Sequence, residues 1–86
     1  MLGKKEKKGK EIRGPELIGR SYLVNQEGQR YKFKYLAPAA LHPYYDRLIE
    51  ENRESLLEES EDNGDGLEVT DRFREEAERL YNEEVK

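Results

Sequence analysis

The chain has 86 residues, of which 42% are charged and 34% hydrophobic, so one small domain with a thin core is expected, helped by a partner or a second copy of the chain. Its formal net charge of −4 conceals a division, because residues 1–36 carry ten Lys/Arg and four Glu, whereas residues 37–86 carry six Lys/Arg and sixteen Asp/Glu. The absence of cysteine excludes disulfides and thiolate metal sites, and no apolar run approaches the roughly 20 residues of a membrane span.

The chain begins with a lysine-rich segment, and residues 1–13 are predicted to form a disordered basic tail. They contain almost no apolar surface that could offset the entropy lost on ordering. The cations of this tail are Lys4, Lys5, Lys7, Lys8 and Lys10. Gly14-Pro15 is typical of a turn, at which ordered structure is expected to begin.

The next segment, residues 20–36, contains the clearest strand pattern. Tyrosine, valine and phenylalanine, which favour a pleated surface, flank the segment Gln26-Glu27-Gly28-Gln29. Gly28 supplies a residue that accepts positive φ in a turn. We therefore predict a β-hairpin.

The register of this hairpin follows from the number of residues in its loop. With an even-numbered loop centred on Glu27-Gly28, Val24 lies opposite Tyr31 and Tyr22 opposite Phe33. This register predicts an aromatic face that must be covered and an opposite basic face. The basic face is expected to contain Arg30, Lys32 and Lys34.

A helix is predicted to cover the aromatic face. Pro43 suits a first helical position, and the apolar residues around and after it recur at helical spacing. These apolar residues are Leu41, Tyr45, Leu48, Ile49 and Leu56. Hairpin and helix together form a predicted core of residues 14–58.

Residues 59–68 read as an acidic, glycine-containing connector, and residues 69–86 as a C-terminal amphipathic helix. The apolar stripe of this last helix consists of Phe73, Ala77, Leu80 and Tyr81. The predicted fold is therefore a small α+β domain with a hairpin, a covering helix, a second helix and a flexible basic tail.

No catalytic or metal site is predicted. If Gly66 takes the sixth position of an EF-hand calcium loop, the twelfth, which must be a bidentate Glu, is Arg72. His42 is the only histidine, so a two-histidine metal site cannot form. The carboxylates lie at helical spacing on solvated faces, without the shielded pocket that acid/base catalysis needs. We expect neither an enzyme nor a cofactor.

The basic residues favour binding to nucleic acid, because cations that neutralise phosphates release counterions. The predicted contacts are Lys4, Lys5, Lys7, Lys8, Lys10, Arg30, Lys32 and Lys34. Since the predicted register turns the tyrosines toward the core, contacts to the phosphate backbone are expected rather than base stacking. The predicted function is that of a non-enzymatic accessory protein contacting nucleic acid or a nucleic-acid-containing assembly. The missing cysteines favour a cytoplasmic location.

Other interpretations stay open at this stage. The lysines could serve only to keep a strand edge from aggregating and the chain soluble. The stripe Phe73, Ala77, Leu80 and Tyr81 suits a helix in a protein partner's groove, which would make the chain a small protein-binding or inhibitory protein. Alternatively, that helix packs on the chain's own core. The chain could also be a structural subunit completed by neighbouring chains.

Overall fold

The computed structural model describes residues 14–63 and 67–85, and within them the chain has the predicted α+β class. The strands are β1 (Glu16–Val24), β2 (Arg30–Pro38) and β3 (Leu67–Glu68). The helices are α1 (His42–Glu51), α2 (Arg53–Asn63) and α3 (Thr70–Val85), with a short 3₁₀ turn at Ala39–Leu41. The predicted tail of residues 1–13 lies outside the described residues.

The strands form one sheet in the order β1-β2-β3. Strand β2 is central, pairing antiparallel with β1 and parallel with β3. Along β2 the buried side chains of Phe33, Tyr35 and Ala37 alternate with exposed ones, which is the period-two pattern of a sheet covered on one face. The helices pack on the face that carries these buried residues, and the opposite face is uncovered by described residues.

The register of the hairpin differs by one residue from the predicted one. Leu23 lies opposite Tyr31 and Ser21 opposite Phe33. The prediction of Tyr22 and Val24 on the buried face is therefore wrong. A shift of one residue moves every side chain of a strand to the other face, so Tyr22 and Val24 share the uncovered face with the lysines.

The loop between β1 and β2 explains this register, because residues 25–29 form an odd-numbered connection. The amide of Asn25 donates to the carbonyl of Gln29 at 2.9 Å. The Asn25 side-chain oxygen accepts from the amides of Glu27 at 3.0 Å and Gln29 at 2.9 Å. Between Asn25 and Gln29, residues 26–28 form a three-residue turn. Gly28, the last of the three, takes the left-handed φ of 85° that this turn requires.

A single hydrophobic core joins the sheet to the three helices. The five apolar positions predicted for the covering helix are all buried in it. Its residues are Leu23, Phe33, Tyr35, Ala37, Leu41, Tyr45, Leu48, Ile49, Leu56, Val69, Phe73 and Ala77. Because α3 contributes Phe73 and Ala77, the core extends beyond the predicted range of residues 14–58.

Tyr35 lies near the centre of this core. Its ring stacks on Tyr45 with centroids 4.4 Å apart and meets the edge of His42 at 5.0 Å. Its hydroxyl donates to the Asp46 carboxylate at 2.6 Å. The ring also lies directly on Gly19, where an added Cβ would be only 2.5 Å from the Tyr35 Cζ atom. Gly19 is therefore required by a close approach within the sheet.

The same surroundings predict an alkaline limit to stability. Burial, and then the hydrogen bond to Asp46, raise the pKa of Tyr35 well above its usual 10. The folded state thus retains the proton more tightly than the unfolded chain, so this contribution is intact below about pH 10 and declines above that pH. We expect the thermal midpoint to fall between about pH 9 and about pH 11, and less steeply in Tyr35→Phe.

Tyr22→Phe, which removes a phenolic hydroxyl from the uncovered face of the sheet, is the matched control for this pH series. Circular dichroism melting curves of the three proteins provide the measurement. An identical pH dependence in Tyr35→Phe and the unmodified chain would contradict the assignment to Tyr35.

The predicted covering helix is divided in two at Asn52, whose backbone leaves helical geometry at φ −107° and ψ 24°. Its side-chain amide donates to the carbonyl of Leu48 at 2.8 Å. The amide of Leu56 still donates to the carbonyl of Asn52 at 3.0 Å, so α2 follows with little interruption. The helical stretch therefore keeps the apolar residues of both halves on the core side.

Helix α2 also extends further than expected. Residues 59–63, placed by the prediction in the connector, are helical, and the Ser60 side chain is fully buried. Two features favour this longer helix. Glutamate is a good helix former, and Glu59 forms an ion pair with Arg72 of α3 at 2.7 Å. Leu67–Glu68, also predicted as connector, form β3. Within residues 14–63 and 67–85, no helix is long and apolar enough to span a bilayer.

Candidate functional site

The uncovered side of the β1–β2 hairpin, called the open face below, is the most distinctive surface of the described chain. It is formed by the even-numbered residues of β1 from position 18 to 24 and of β2 from position 30 to 36, and all eight are exposed. These residues are Ile18, Arg20, Tyr22 and Val24 of β1 and Arg30, Lys32, Lys34 and Leu36 of β2.

The register places these residues in four cross-strand rows: Ile18 with Leu36, Arg20 with Lys34, Tyr22 with Lys32, and Val24 with Arg30. Strands lie about 4.8 Å apart and alternate residues about 6.7 Å apart. The four cations therefore occupy one compact patch. One row, Arg20 with Lys34, joins two like charges directly across the sheet, an arrangement that destabilises a sheet.

Tyr22 stands in the middle of this cationic patch with 51% of its surface exposed. The guanidinium of Arg30 lies over its ring, 5.5 Å from the centroid. This is cation–π distance, so the two side chains hold each other in place. The pair thus places a guanidinium over one side of an exposed aromatic ring.

At the other end of the open face, Ile18 and Leu36 border a shallow concavity of about 200 Å³. The other residues that line it are Lys34, Tyr35 and Glu68. The concavity therefore combines an apolar lining with one cationic and one anionic side chain.

Two carboxylates reduce the positive charge around the open face. Glu68 lies opposite Lys34 in the β2–β3 pairing and accepts hydrogen bonds from the amide and hydroxyl of Thr70. Glu16, at the start of β1, forms an ion pair with Arg74 of α3 at 3.1 Å. The open face itself still carries four cations and no carboxylate among its eight residues.

The helices on the opposite side of the sheet carry the reverse charge. Residues 42–63 contain eight Asp/Glu and two Arg, and residues 70–85 contain six Asp/Glu and three Arg. All five arginines form ion pairs with glutamates. They are Arg47, Arg53, Arg72, Arg74 and Arg79. The sheet thus separates a cationic surface from an acidic helical layer.

The basic residues predicted for the hairpin are on the open face, as the strand period of β2 indicated. The predicted lysines of the tail, Lys4, Lys5, Lys7, Lys8 and Lys10, lie outside the described residues. The structure adds Arg20 and Tyr22, which the predicted register missed. The signal for them was Asn25, since asparagine favours the side-chain-to-backbone turn that makes this loop odd-numbered.

The predicted protein-binding stripe of α3 is covered by the chain itself. Phe73 and Ala77 are buried in the core, and Leu80 and Tyr81 are half-buried against it. The Tyr81 ring also meets the edge of Tyr44, with centroids 6.2 Å apart. For this stripe to enter a partner's groove, α3 would have to leave the core.

His42 takes a packing role in the structure. Its Nε2 atom is 2.9 Å from the carbonyl oxygen of Ala37 and 3.2 Å from that of Leu17. Over the described ranges 14–63 and 67–85, no group of three His, Asp or Glu side chains is placed to hold a metal ion. The turn compared with a calcium loop includes residues 64–66, which are outside those ranges.

Comparison with models of known protein families, with characterised proteins and with solved structures finds no match to this chain. The open face is therefore interpreted from its own geometry and charge.

Proposed function

We propose that the chain is a non-enzymatic, cytoplasmic accessory protein that binds nucleic acid, or an assembly containing nucleic acid, through the open face. The observation that carries this proposal is the row of Arg20 and Lys34, two cations directly opposite each other within a patch of four. Like charges at such positions destabilise the sheet. When a polyanion is bound, the same two cations stabilise the complex, because a phosphate between them attracts both.

The spacing of the patch supports a phosphate backbone as the ligand. The three cations of β2 follow one another about 6.7 Å apart, and Arg20 stands on the neighbouring strand about 4.8 Å away. Arg20, Arg30, Lys32 and Lys34 can therefore contact several neighbouring phosphates at once, releasing their counterions. The lysines at positions 4 to 10 carry the same charge and precede β1 in the sequence.

The acidic helical layer favours the approach of a polyanion from the side of the open face. A polyanion is repelled by the carboxylates of α1, α2 and α3 and attracted by the opposite side of the sheet. The overall charge of −4 therefore does not oppose binding, because the relevant charge is that of the surface in contact.

A titration of labelled DNA and RNA with charge-reversed variants tests this proposal. The double variant Arg20→Glu/Lys34→Glu is expected to weaken binding roughly 100-fold at about 100 mM salt, because two phosphate contacts are lost. Fluorescence anisotropy, measured between about 50 and about 200 mM salt, gives the affinity and the slope of its logarithm against salt. That slope should become shallower by about two units in the variant.

The matched control is Arg47→Glu/Arg79→Glu, which makes the same change in net charge on the helical layer. It should weaken binding by less than about threefold, because at this salt concentration the charges of the far surface are largely screened. Binding that is absent, that does not weaken as salt rises, or that responds equally to both double variants would refute the proposed function.

A further inference from the structure

The position of Tyr22 distinguishes the open face from a simple cationic surface. An aromatic ring at 51% exposure lies at the centre of the patch, opposite Lys32 and between Arg20 and Val24 on its own strand. Its position is fixed by the odd-numbered loop at Asn25, and Arg30 restricts its ring from one side. Phosphate binding alone requires no such ring.

An exposed aromatic ring with a guanidinium over one side offers two stacking surfaces to a nucleobase, since bases stack on both kinds of plane. Such stacking requires a base whose face is exposed. In a duplex the faces of the bases are covered by their neighbours in the helix, and only their edges reach the grooves. The Tyr22–Arg30 pair therefore favours a strand whose bases are unpaired.

The rows of the sheet continue this pattern toward the concavity. Tyr22 and Ile18 are four residues apart on β1, a distance of roughly 13 Å. Between them, in register, lies the row of Arg20 and Lys34. The order along the hairpin is thus a stacking surface, a pair of cations and an apolar concavity.

We propose that the open face binds a single strand of nucleic acid along the hairpin. One base stacks on Tyr22 and Arg30, the following phosphate lies between Arg20 and Lys34, and another base enters the concavity bordered by Ile18 and Leu36. There Lys34 and Glu68 offer a donor and an acceptor to the polar edge of that base. This inference rests on the proposed function and specifies the ligand of the same face.

The test compares labelled single strands, as DNA and as RNA, with a duplex of the same length, all bound to the full chain at one salt concentration. The unmodified chain should bind the single strands at least several-fold more tightly than the duplex. Tyr22→Ala should weaken single-strand binding roughly 5- to 100-fold, the range expected for one stacked base. Tyr22→Phe, which keeps the ring, should bind within about twofold of the unmodified chain, because stacking uses the face of the ring.

The matched control is Leu17→Ala, which removes an exposed apolar side chain from a position of β1 that is not part of the open face. It should leave both affinities unchanged, and Tyr22→Ala should leave duplex binding unchanged. Melting curves of each variant establish that the fold is intact, which is expected because Tyr22 lies outside the core.

The outcomes separate the two proposals. Salt-dependent binding with equal affinity for strand and duplex, or equal binding by Tyr22→Ala and Tyr22→Phe, overturns the single-strand inference and leaves the proposed function standing. The absence of binding to any of the nucleic acids overturns both.

Discussion

Replacing Phe73 by alanine is expected to lower the free energy of unfolding by about 3–5 kcal/mol, the usual effect of truncating a buried phenylalanine. Phe73 is 7% exposed and belongs to the core that joins α3 to the sheet. A domain of this size has a total stability of roughly 5–10 kcal/mol. The variant should therefore lose a large share of its stability and melt at a much lower temperature.

Urea denaturation followed by circular dichroism measures this change, and Tyr81→Ala is the comparison. Tyr81 is half-buried near the C-terminal end of the same helix, so its truncation should lower the stability by no more than about 1–2 kcal/mol. If Phe73→Ala were no more destabilising than Tyr81→Ala, α3 would not be docked as described. The stripe would then again be a candidate for a partner's groove.

Gly19→Ala is the second substitution with a large expected effect. The new Cβ would lie 2.5 Å from Cζ of Tyr35, and the ring cannot move aside because it stacks on Tyr45 and bonds to Asp46. Inserting one methyl group into such a packed position costs about 2–3 kcal/mol. The thermal midpoint should fall by roughly 10–20 °C, as expected for a domain of this length.

A double-mutant cycle with Tyr35→Leu identifies the cause of the Gly19→Ala effect. If the clash with the ring is responsible, Gly19→Ala should be much less harmful when residue 35 is leucine, giving a clear departure from additivity. Ser21→Ala, on the same face of β1, should change the stability little. Additive effects of Gly19→Ala and Tyr35→Leu would show that the ring is not the obstacle.

The α+β class and the helix positions were predictable because they follow from periodicity in the sequence. Leu41, Tyr45, Leu48, Ile49 and Leu56 recur at helical spacing, and every one of them is buried. The strand period of β2 likewise placed Arg30, Lys32 and Lys34 together on one face. Patterns of this kind depend only on local geometry, which the sequence carries directly.

The register of the hairpin was not predictable from periodicity, because two registers each bury a plausible set of side chains. One buries Tyr22 and Val24, and the other buries Leu23 and leaves room at Gly19 for Tyr35. The decision depends on the odd-numbered loop that the Asn25 side chain closes. For this reason the sequence prediction did not include Arg20 and Tyr22 among the candidate site residues.

Strand β3 and the length of α2 were missed for a different reason. Two residues are too few to show a period, and Leu67 finds its position only by pairing with Phe33 across 34 positions of sequence. The end of α2 depends on tertiary contacts such as the ion pair between Glu59 and Arg72. Long-range contacts of this kind leave little trace in local sequence.

The separation of cations and carboxylates by the sheet has a further consequence under the proposed function, in which the ligand is a polyanion. A body with opposite charges on opposite sides has an electric dipole, and at low salt, where screening is weak, the field of a polyanion orients that dipole before contact is made. Under the proposal, encounters would begin with the open face toward the polyanion, and a larger share of them would lead to binding. In the proposed complex the described helices would point away from the polyanion, and their excess of carboxylates would repel a second one. The folded part of the chain would coat a polyanion on one side without linking two of them together.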